Sequence, residues 1–145
     1  MSFSDVFLSL ALFHDLVTIV VVAYSVLTLY DLESDYVNAR SAAEKLNHCV
    51  PILAYLNSAI AVLVLASGRV LAALLVAGVL ARIVHRIVAS PAGNLGLVFD
   101  PTEIRARPAL RRNLKEFLAY GAVHVASFFL IMNSLVHDLT ALAEL

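Results

Sequence analysis

The sequence predicts an all-α, polytopic membrane protein with four transmembrane helices, two cytosolic loops and both termini in the lumen. Three observations carry this prediction. Hydrophobic residues make up 61% of the 145 residues and charged residues only 14%, whereas soluble domains are about half apolar and about a quarter charged. Four apolar runs approach the roughly 20 residues that cross a bilayer. The basic residues cluster beside the same span ends. We expect one membrane domain over residues 1–145.

The four spans follow from the apolar runs and the polar breaks between them. They cover about 7–29, 51–67, 70–88 and 117–139. A single helix over residues 50–88 would be about 58 Å long, twice the hydrocarbon thickness, so Ser67–Arg69 is expected to form a hairpin tip. Because the first 39 residues contain no Lys or Arg, no removable signal peptide is expected and Met1 is taken as the mature start.

The basic residues predict the orientation of the spans. Arg69 is the only one of the ten Lys and Arg residues in the second loop. The other nine lie in the first loop, near the end of span three, or between span three and span four. Basic residues near span ends stay in the cytosol. The first and third loops are therefore expected to be cytosolic, and the second loop and both termini lumenal.

Each cytosolic loop is expected to contain a short amphipathic helix. Asn38 is a good N-cap for the first, in which Arg40 and Glu44 are spaced i,i+4. In the second loop Asp100 can cap a helix that Pro108 ends. Apolar residues then recur at helical spacing opposite basic ones: Leu110, Leu114, Phe117 and Leu118 face away from Arg111, Arg112 and Lys115. This pattern is typical of a helix on an anionic leaflet.

Four stretches occur in a characteristic order and spacing. They read DLESDYVN at 31–38, LN with a following Pro at 46–51, FDPTEI at 99–104 and RRNLKEFLAYGAVHVASFFL at 111–130. Together they resemble the cornichon family of eukaryotic ER-export cargo receptors. The resemblance extends over essentially the whole chain.

The resemblance implies a non-enzymatic receptor that binds transmembrane cargo and couples it to COPII vesicles in ER-to-Golgi transport. It implies residence in the endoplasmic reticulum membrane with cycling to the Golgi. The alternative is an auxiliary subunit of a membrane channel or transporter complex, since some vertebrate relatives stay with AMPA-type glutamate receptors. The implied residues that face coat or partner in the cytosolic loops are Asp31, Glu33, Asp35, Tyr36, Asn38, Asp100, Glu103, Ile104 and Arg105.

Span two is the expected contact with cargo, through Tyr55, Asn57 and Ser58. A polar amide in lipid needs a partner, and for Asn57 that partner is either cargo or a group inside the bundle. A stripe of small residues on span three, Ala73, Ala77 and Ala81, leaves the same two alternatives of internal packing or contact with a partner helix.

Two His-Asp-Leu triplets fall near the lumenal ends of spans one and four. A charge at mid-bilayer costs about 2.5–3.5 kcal/mol on insertion scales, so Asp15 should lie shallow or pair with His137, and Asp138 with His14. Because His titrates near physiological pH, these four residues are a candidate pH-sensitive pair that releases cargo. Marking of the helix ends at the interface is the alternative. His124, in mid-span, is expected to be a hydrogen-bonded core histidine.

Other functional classes are less well supported by the sequence. A small polytopic enzyme would converge acids or histidines, yet no H-E-x-x-H, G-x-S-x-G or paired carboxylates occur. A transporter would show broken helices in repeats. No catalytic residue, metal site or cofactor is predicted, and Cys49 is the only cysteine. The predicted partners are transmembrane cargo, COPII coat components and anionic lipid head groups, with no nucleic acid.

Overall fold

A computed structural model describes residues 1–90 and 98–145 of the chain. It contains four α-helices, α1 (Phe3–Glu33), α2 (Ala39–Ala66), α3 (Val70–Ala89) and α4 (Arg107–Ala143). All four are long and apolar enough to cross a membrane. The predicted all-α fold with four candidate spans is therefore confirmed, and the side of the membrane on which each loop lies stays a prediction.

The helix starts and the tip between α2 and α3 have local causes in the sequence. A capping box opens α1, because Ser2 Oγ accepts from the Asp5 N–H and the Asp5 carboxylate accepts from the Ser2 N–H. Asn38 caps α2 as predicted, with its side-chain oxygen 2.8 Å from the Ser41 nitrogen. Gly68 has a φ of 79°, which glycine adopts without a steric cost. The predicted hairpin tip is thus confirmed.

The acidic segment after span one is the C-cap of α1. Asp35 takes a left-handed conformation with a φ of 61°, which Asp tolerates better than most residues. The Asp35 N–H donates to the Leu32 carbonyl and the Tyr36 N–H donates to the Asp31 carbonyl. These are the two bonds of a Schellman motif. The sequence DLESDY therefore ends one helix in an ordered turn, two residues before Asn38 starts the next.

The predicted helix that starts at Asn38 is confirmed, as the first turns of α2, whereas the prediction of a helix between Asp100 and Pro108 is wrong. Residues 39–50 are the first turns of α2, which continues through Pro51. Residues 101–105 form a turn, and Pro108 lies in the first turn of α4 rather than ending a helix. Extending a nucleated helix adds one hydrogen bond per residue, whereas a new helix needs a new nucleus. Pro at the first turn loses no hydrogen bond.

The beginning of α4 also differs from the predicted surface helix. Leu110, Leu114 and Phe117 are buried in the protein core, whereas Leu118 is exposed. The apolar face that was predicted to lie on the leaflet therefore packs against the bundle. The basic side chains of Arg111, Arg112 and Lys115 are on the opposite, exposed side, as predicted.

Three of the four described helices, α1, α2 and α4, are longer than the hydrocarbon core is thick, and the four form a closed ring of neighbours. The 31 residues of α1 and the 37 of α4 are about 46 and about 55 Å long, against a hydrocarbon core of about 30 Å. α1 packs against α2 and α4, and α3 also packs against α2 and α4. We call the end where α2 and α4 begin the basic end, and the end with Ser67–Arg69 and both termini the tip end.

The core consists of two apolar clusters. The cluster toward the basic end includes Leu32, Leu46, Phe99, Ile104 and Phe117. The cluster toward the tip end includes Leu8, Ile60, Val76 and Ile131. The alanine stripe on α3 belongs only in part to this core, because Ala73 is buried but Ala77 and Ala81 are exposed. Internal packing is therefore the wrong interpretation for those two alanines.

Candidate functional site

Polar side chains of three helices meet between the two apolar clusters. His124 on α4 lies with its Nδ1 2.6 Å from Oδ1 of Asp15 on α1, and its Nε2 3.0 Å from Oδ1 of Asn57 on α2. All three residues have 0% exposure. We call these three residues the polar triad. The triad links α1, α2 and α4 inside the bundle.

The hydrogen bonds of Asn57 define the donors in the triad. Its amide nitrogen donates to the Leu53 carbonyl at 2.8 Å, so its oxygen faces His124 and the His124 Nε2–H donates to it. A second proton lies between Nδ1 and the Asp15 carboxyl group. With both protons in place the His–Asp pair is neutral overall, either as an ion pair or as imidazole and carboxylic acid. Such neutrality suits an apolar environment, in which an isolated charge is costly.

The predicted pairing of the two His-Asp-Leu triplets is wrong. Asp15 pairs with His124, and Asp138 accepts two hydrogen bonds from Arg69, at 2.6 and 2.7 Å. His14 bonds to the carbonyl of its own helix at Leu10. The reason is depth: α1 begins at Phe3, so Asp15 lies near the middle of the helix rather than near its end. Whether these histidines respond to pH stays a prediction.

A periodic signal in the sequence could have located the triad. In α1 the polar residues Asp15, Thr18, Ser25 and Thr28 recur on one face, and all are buried. The hydroxyl groups of the last three donate to carbonyls of their own helix, four residues earlier. A polar stripe at helical spacing within an apolar span marks the side that faces the bundle. His124 was correctly predicted to be a hydrogen-bonded core residue.

The residues predicted to contact cargo lie on two different faces of α2. Tyr55 is 66% exposed and Ser58 is exposed, whereas Asn57 is fully buried. Of the two alternatives for Asn57, the partner inside the bundle is the one observed. The His14 ring lies 6.5 Å from the Tyr55 ring. The outward patch therefore consists of Tyr55, Ser58 and His14.

At the basic end, the FDPTEI segment is docked onto the bundle. The side-chain oxygen of Asn47 accepts from the Phe99 N–H at 2.8 Å, and its nitrogen donates to the Phe99 carbonyl at 3.1 Å. The Phe99 ring stacks on Phe117, with 6.0 Å between centroids, and the Arg86 guanidinium lies over the Phe99 ring, 4.6 Å from its centroid. One amide and two aromatic contacts therefore hold a segment that lacks regular secondary structure.

An ion pair joins this segment to the first connection. Arg105 donates to the Asp35 carboxylate, and both side chains are largely exposed. Of the nine residues predicted to face a partner, eight are exposed. The exception is Ile104, which is 2% exposed and belongs to the basic-end core. Its predicted role as a contact residue is wrong, because its side chain anchors the turn to Leu110 and its neighbours.

Glu116 organises the junction of α3 and α4 at the same end. It accepts from Arg82 at 3.1 Å and pairs with Arg86 at 3.3 Å, and it also accepts from the Tyr120 hydroxyl. Arg86 donates further to Asn113 at 2.8 Å. The guanidinium that covers Phe99 is thus held from two sides, which fixes the docking position of the segment.

The turn that follows Phe99 is closed by Asp100. Its carboxylate accepts from the Thr102 N–H at 2.9 Å and from the Thr102 hydroxyl at 2.8 Å. These two hydrogen bonds hold the pKa of Asp100 below its usual range, the backbone bond being the larger cause. Because folding lowers the pKa of this carboxyl group, its ionised form stabilises the fold at every pH above its ordinary pKa. This stabilisation is lost as the pH falls through the lowered pKa. The turn is therefore fully formed at neutral pH.

Thr102→Val is expected to raise the pKa of Asp100 toward its ordinary value, because it removes the hydroxyl donor and leaves the backbone donor. Thr102→Ser keeps the hydroxyl and is expected to keep the lowered pKa. Titration of the Asp100 carboxyl carbon by NMR measures both. An equal pKa in the valine and serine variants would contradict the assigned role of the hydroxyl.

Four apolar helices in a ring, a polar layer between them and a docked segment at one end define a multi-pass membrane protein. Over residues 5–132 the chain matches the family model described as Cornichon protein. The match covers most of the chain. The protein therefore belongs to the cornichon family, which confirms the resemblance found in the sequence.

Proposed function

We propose that the protein is a non-enzymatic export receptor of the endoplasmic reticulum that binds transmembrane cargo and couples it to COPII coat components. One observation carries the proposal. The two segments expected to face the coat, 31–38 and 98–106, are joined into one basic-end surface by the Asn47–Phe99 hydrogen bonds and the Asp35–Arg105 ion pair. A surface that is already ordered loses less conformational entropy when a partner binds.

The chemistry of this surface supports a protein partner. Asp31 and Glu103 are exposed and make no ion pair within the described residues, so their charges are available to a basic partner. Tyr36 is 82% exposed between them. Exposed charges guide association and tyrosines often anchor interfaces. In this proposal the basic end faces the cytosol and both termini face the lumen.

Cargo binding is assigned to the outward patch of Tyr55, Ser58 and His14. The Ser58 hydroxyl donates to the Ala54 carbonyl at 2.7 Å, so this hydroxyl is satisfied within its own helix when cargo is absent. Tyr55 supplies a large exposed ring with a polar tip. A cargo helix can therefore gain packing and one hydrogen bond without a buried charge.

An auxiliary subunit that stays with its membrane partner would need the same outward patch but not the basic-end surface. The two functions therefore differ in which surface is required for passage from the endoplasmic reticulum to the Golgi. Loss of export after substitutions confined to the basic-end surface would support the receptor function. Normal export with loss of partner activity supports the auxiliary subunit.

Tyr55→Ala is expected to reduce recovery of transmembrane cargo about 5- to 30-fold, because truncation of an interface tyrosine costs about 1–2 kcal/mol. Coat recovery should be unchanged. Leu74→Ala is the matched control, since Leu74 is 64% exposed on α3, away from the patch. Quantitative co-purification from mild detergent measures both. Equal cargo loss in the two variants would contradict a specific patch.

A further inference from the structure

A cavity at the basic end lies between the C-terminus of α1 and the N-terminus of α4. It has a volume of about 430 Å³. Its apolar floor is formed by Leu32 and Leu110, and its walls carry charged groups of both signs: Glu33, Asp35, Arg105, Arg107 and Arg111. We call it the headgroup pocket. It is separate from the outward patch and from the polar triad, and it shares Asp35 and Arg105 with the basic-end surface.

The depth of the pocket places it beside lipid headgroups. Leu29 is the last residue of the apolar run of span one, and Leu32 lies three residues further, about 5 Å along the helix axis. Leu110 belongs to the same core cluster as Leu32. The headgroup layer of a bilayer extends about 5–8 Å beyond the hydrocarbon on each side. Leu32 is therefore at headgroup depth.

The charges of the pocket define its ligand. Asp35 and Arg105 neutralise each other. Arg107, Arg111 and Glu33 make no ion pair within the described residues, and residues 91–97 contain no acidic residue. No side chain caps the N-terminus of α4, which adds a partial positive charge. A ligand of the pocket must therefore offer negative charge to Arg107 and Arg111 and positive charge to Glu33.

We propose that the pocket binds the headgroup of a serine phospholipid in the adjacent leaflet. The phosphodiester and carboxylate of this headgroup carry two negative charges, which Arg107 and Arg111 can bind. The ammonium group of the headgroup carries one positive charge, which Glu33 can bind. A guanidinium is well suited to carboxylate and phosphate oxygens. A glycerol phospholipid lacks the ammonium group and would leave Glu33 opposed to phosphate.

Native mass spectrometry of the full chain tests the proposal with serine, glycerol and choline phospholipids of identical acyl chains. The wild type is expected to retain the serine lipid more strongly than the other two. Arg111→Gln should weaken its retention about fivefold, the upper range for the loss of one exposed ion pair. Arg112→Gln is the matched control, because Arg112 is the exposed neighbour outside the pocket. It should retain the lipid like the wild type.

Glu33→Gln gives the discriminating result. It is expected to abolish the preference for serine over glycerol lipid while binding of the glycerol lipid persists or increases. Equal weakening in Arg111→Gln and Arg112→Gln would show general attraction to anionic lipid and overturn the proposal, as would a preference for serine lipid that survives in Glu33→Gln. Equal retention of all three lipids by the wild type would also overturn it. The melting temperature of each variant verifies that the fold is unchanged.

Discussion

His124→Leu is expected to lower the free energy of unfolding by about 2–6 kcal/mol, because two buried polar groups lose their hydrogen-bond partner at about 1–3 kcal/mol each. His124 has hydrogen bonds to Asp15 and Asn57 and no exposed surface. Leucine fills much of the same volume but leaves the Asp15 carboxyl and the Asn57 oxygen without partners. Both groups then lie in the middle of an apolar bundle, where an unpaired polar group is costly. Thermal or chemical unfolding in detergent measures the loss.

Two further variants separate the triad from general effects of substitution. Ser127→Ala is the matched control, because Ser127 lies one turn from His124, is equally buried and makes no hydrogen bond through its hydroxyl within the described residues. It is expected to be nearly neutral. The double variant Asp15→Leu with His124→Leu is expected to lose less than the sum of the single variants, since the pair is removed together. Additive losses would contradict a direct interaction.

Asn47→Ala is expected to release the segment around Phe99 from the bundle. The substitution leaves the Phe99 N–H and carbonyl without their partners, and each buried group left unsatisfied costs about 1–3 kcal/mol. The protection of the Phe99 amide against hydrogen exchange should fall about 10- to 100-fold, since about 1.4 kcal/mol corresponds to a factor of ten. The amides in the middle of α1 should keep their protection.

Glu44→Ala is the control for this variant. Glu44 lies on the same helix and lines a groove with Asn47 and Phe99. Within the described residues it is paired with the exposed Arg40 alone, at 3.4 Å. Its removal should leave the protection of Phe99 unchanged, because exposed i,i+4 pairs contribute only about 0.3–0.5 kcal/mol. Unchanged protection in Asn47→Ala would mean that the aromatic contacts with Phe117 and Arg86 alone hold the segment.

The parts of the fold that depend on local chemistry could be predicted from the sequence. Apolar runs located the four helices, Asn38 was identified as a cap, and the length limit of a membrane span placed the tip at Ser67–Arg69. The helix ends were predicted too short at the basic end, because hydropathy identifies the portion inside the lipid and not the polar turns that extend α2 and α4 beyond it. The turn at 101–105 was predicted as a helix because Asp100 caps both kinds of structure.

The contacts of the candidate sites depend on long-range packing, and there the sequence was less informative. Asp15 and His124 are 109 positions apart, and their pairing follows from the relative depth of α1 and α4, which hydropathy does not define. The burial of Ile104 and Asn57 depends likewise on which side of each segment meets a neighbour. The polar stripe of α1 is the one signal in the sequence that identifies the inward face.

The most direct test of the receptor proposal is quantitative co-purification of coat components and transmembrane cargo with three forms of the protein: wild type, Asn47→Ala and Tyr55→Ala. We expect Asn47→Ala to lose coat components and keep cargo, and Tyr55→Ala to lose cargo and keep coat components. This pattern would assign the two partners to two separate surfaces. Retention of coat components by Asn47→Ala, with the segment around Phe99 shown by hydrogen exchange to be released, would contradict the proposal that the joined basic-end surface binds the coat.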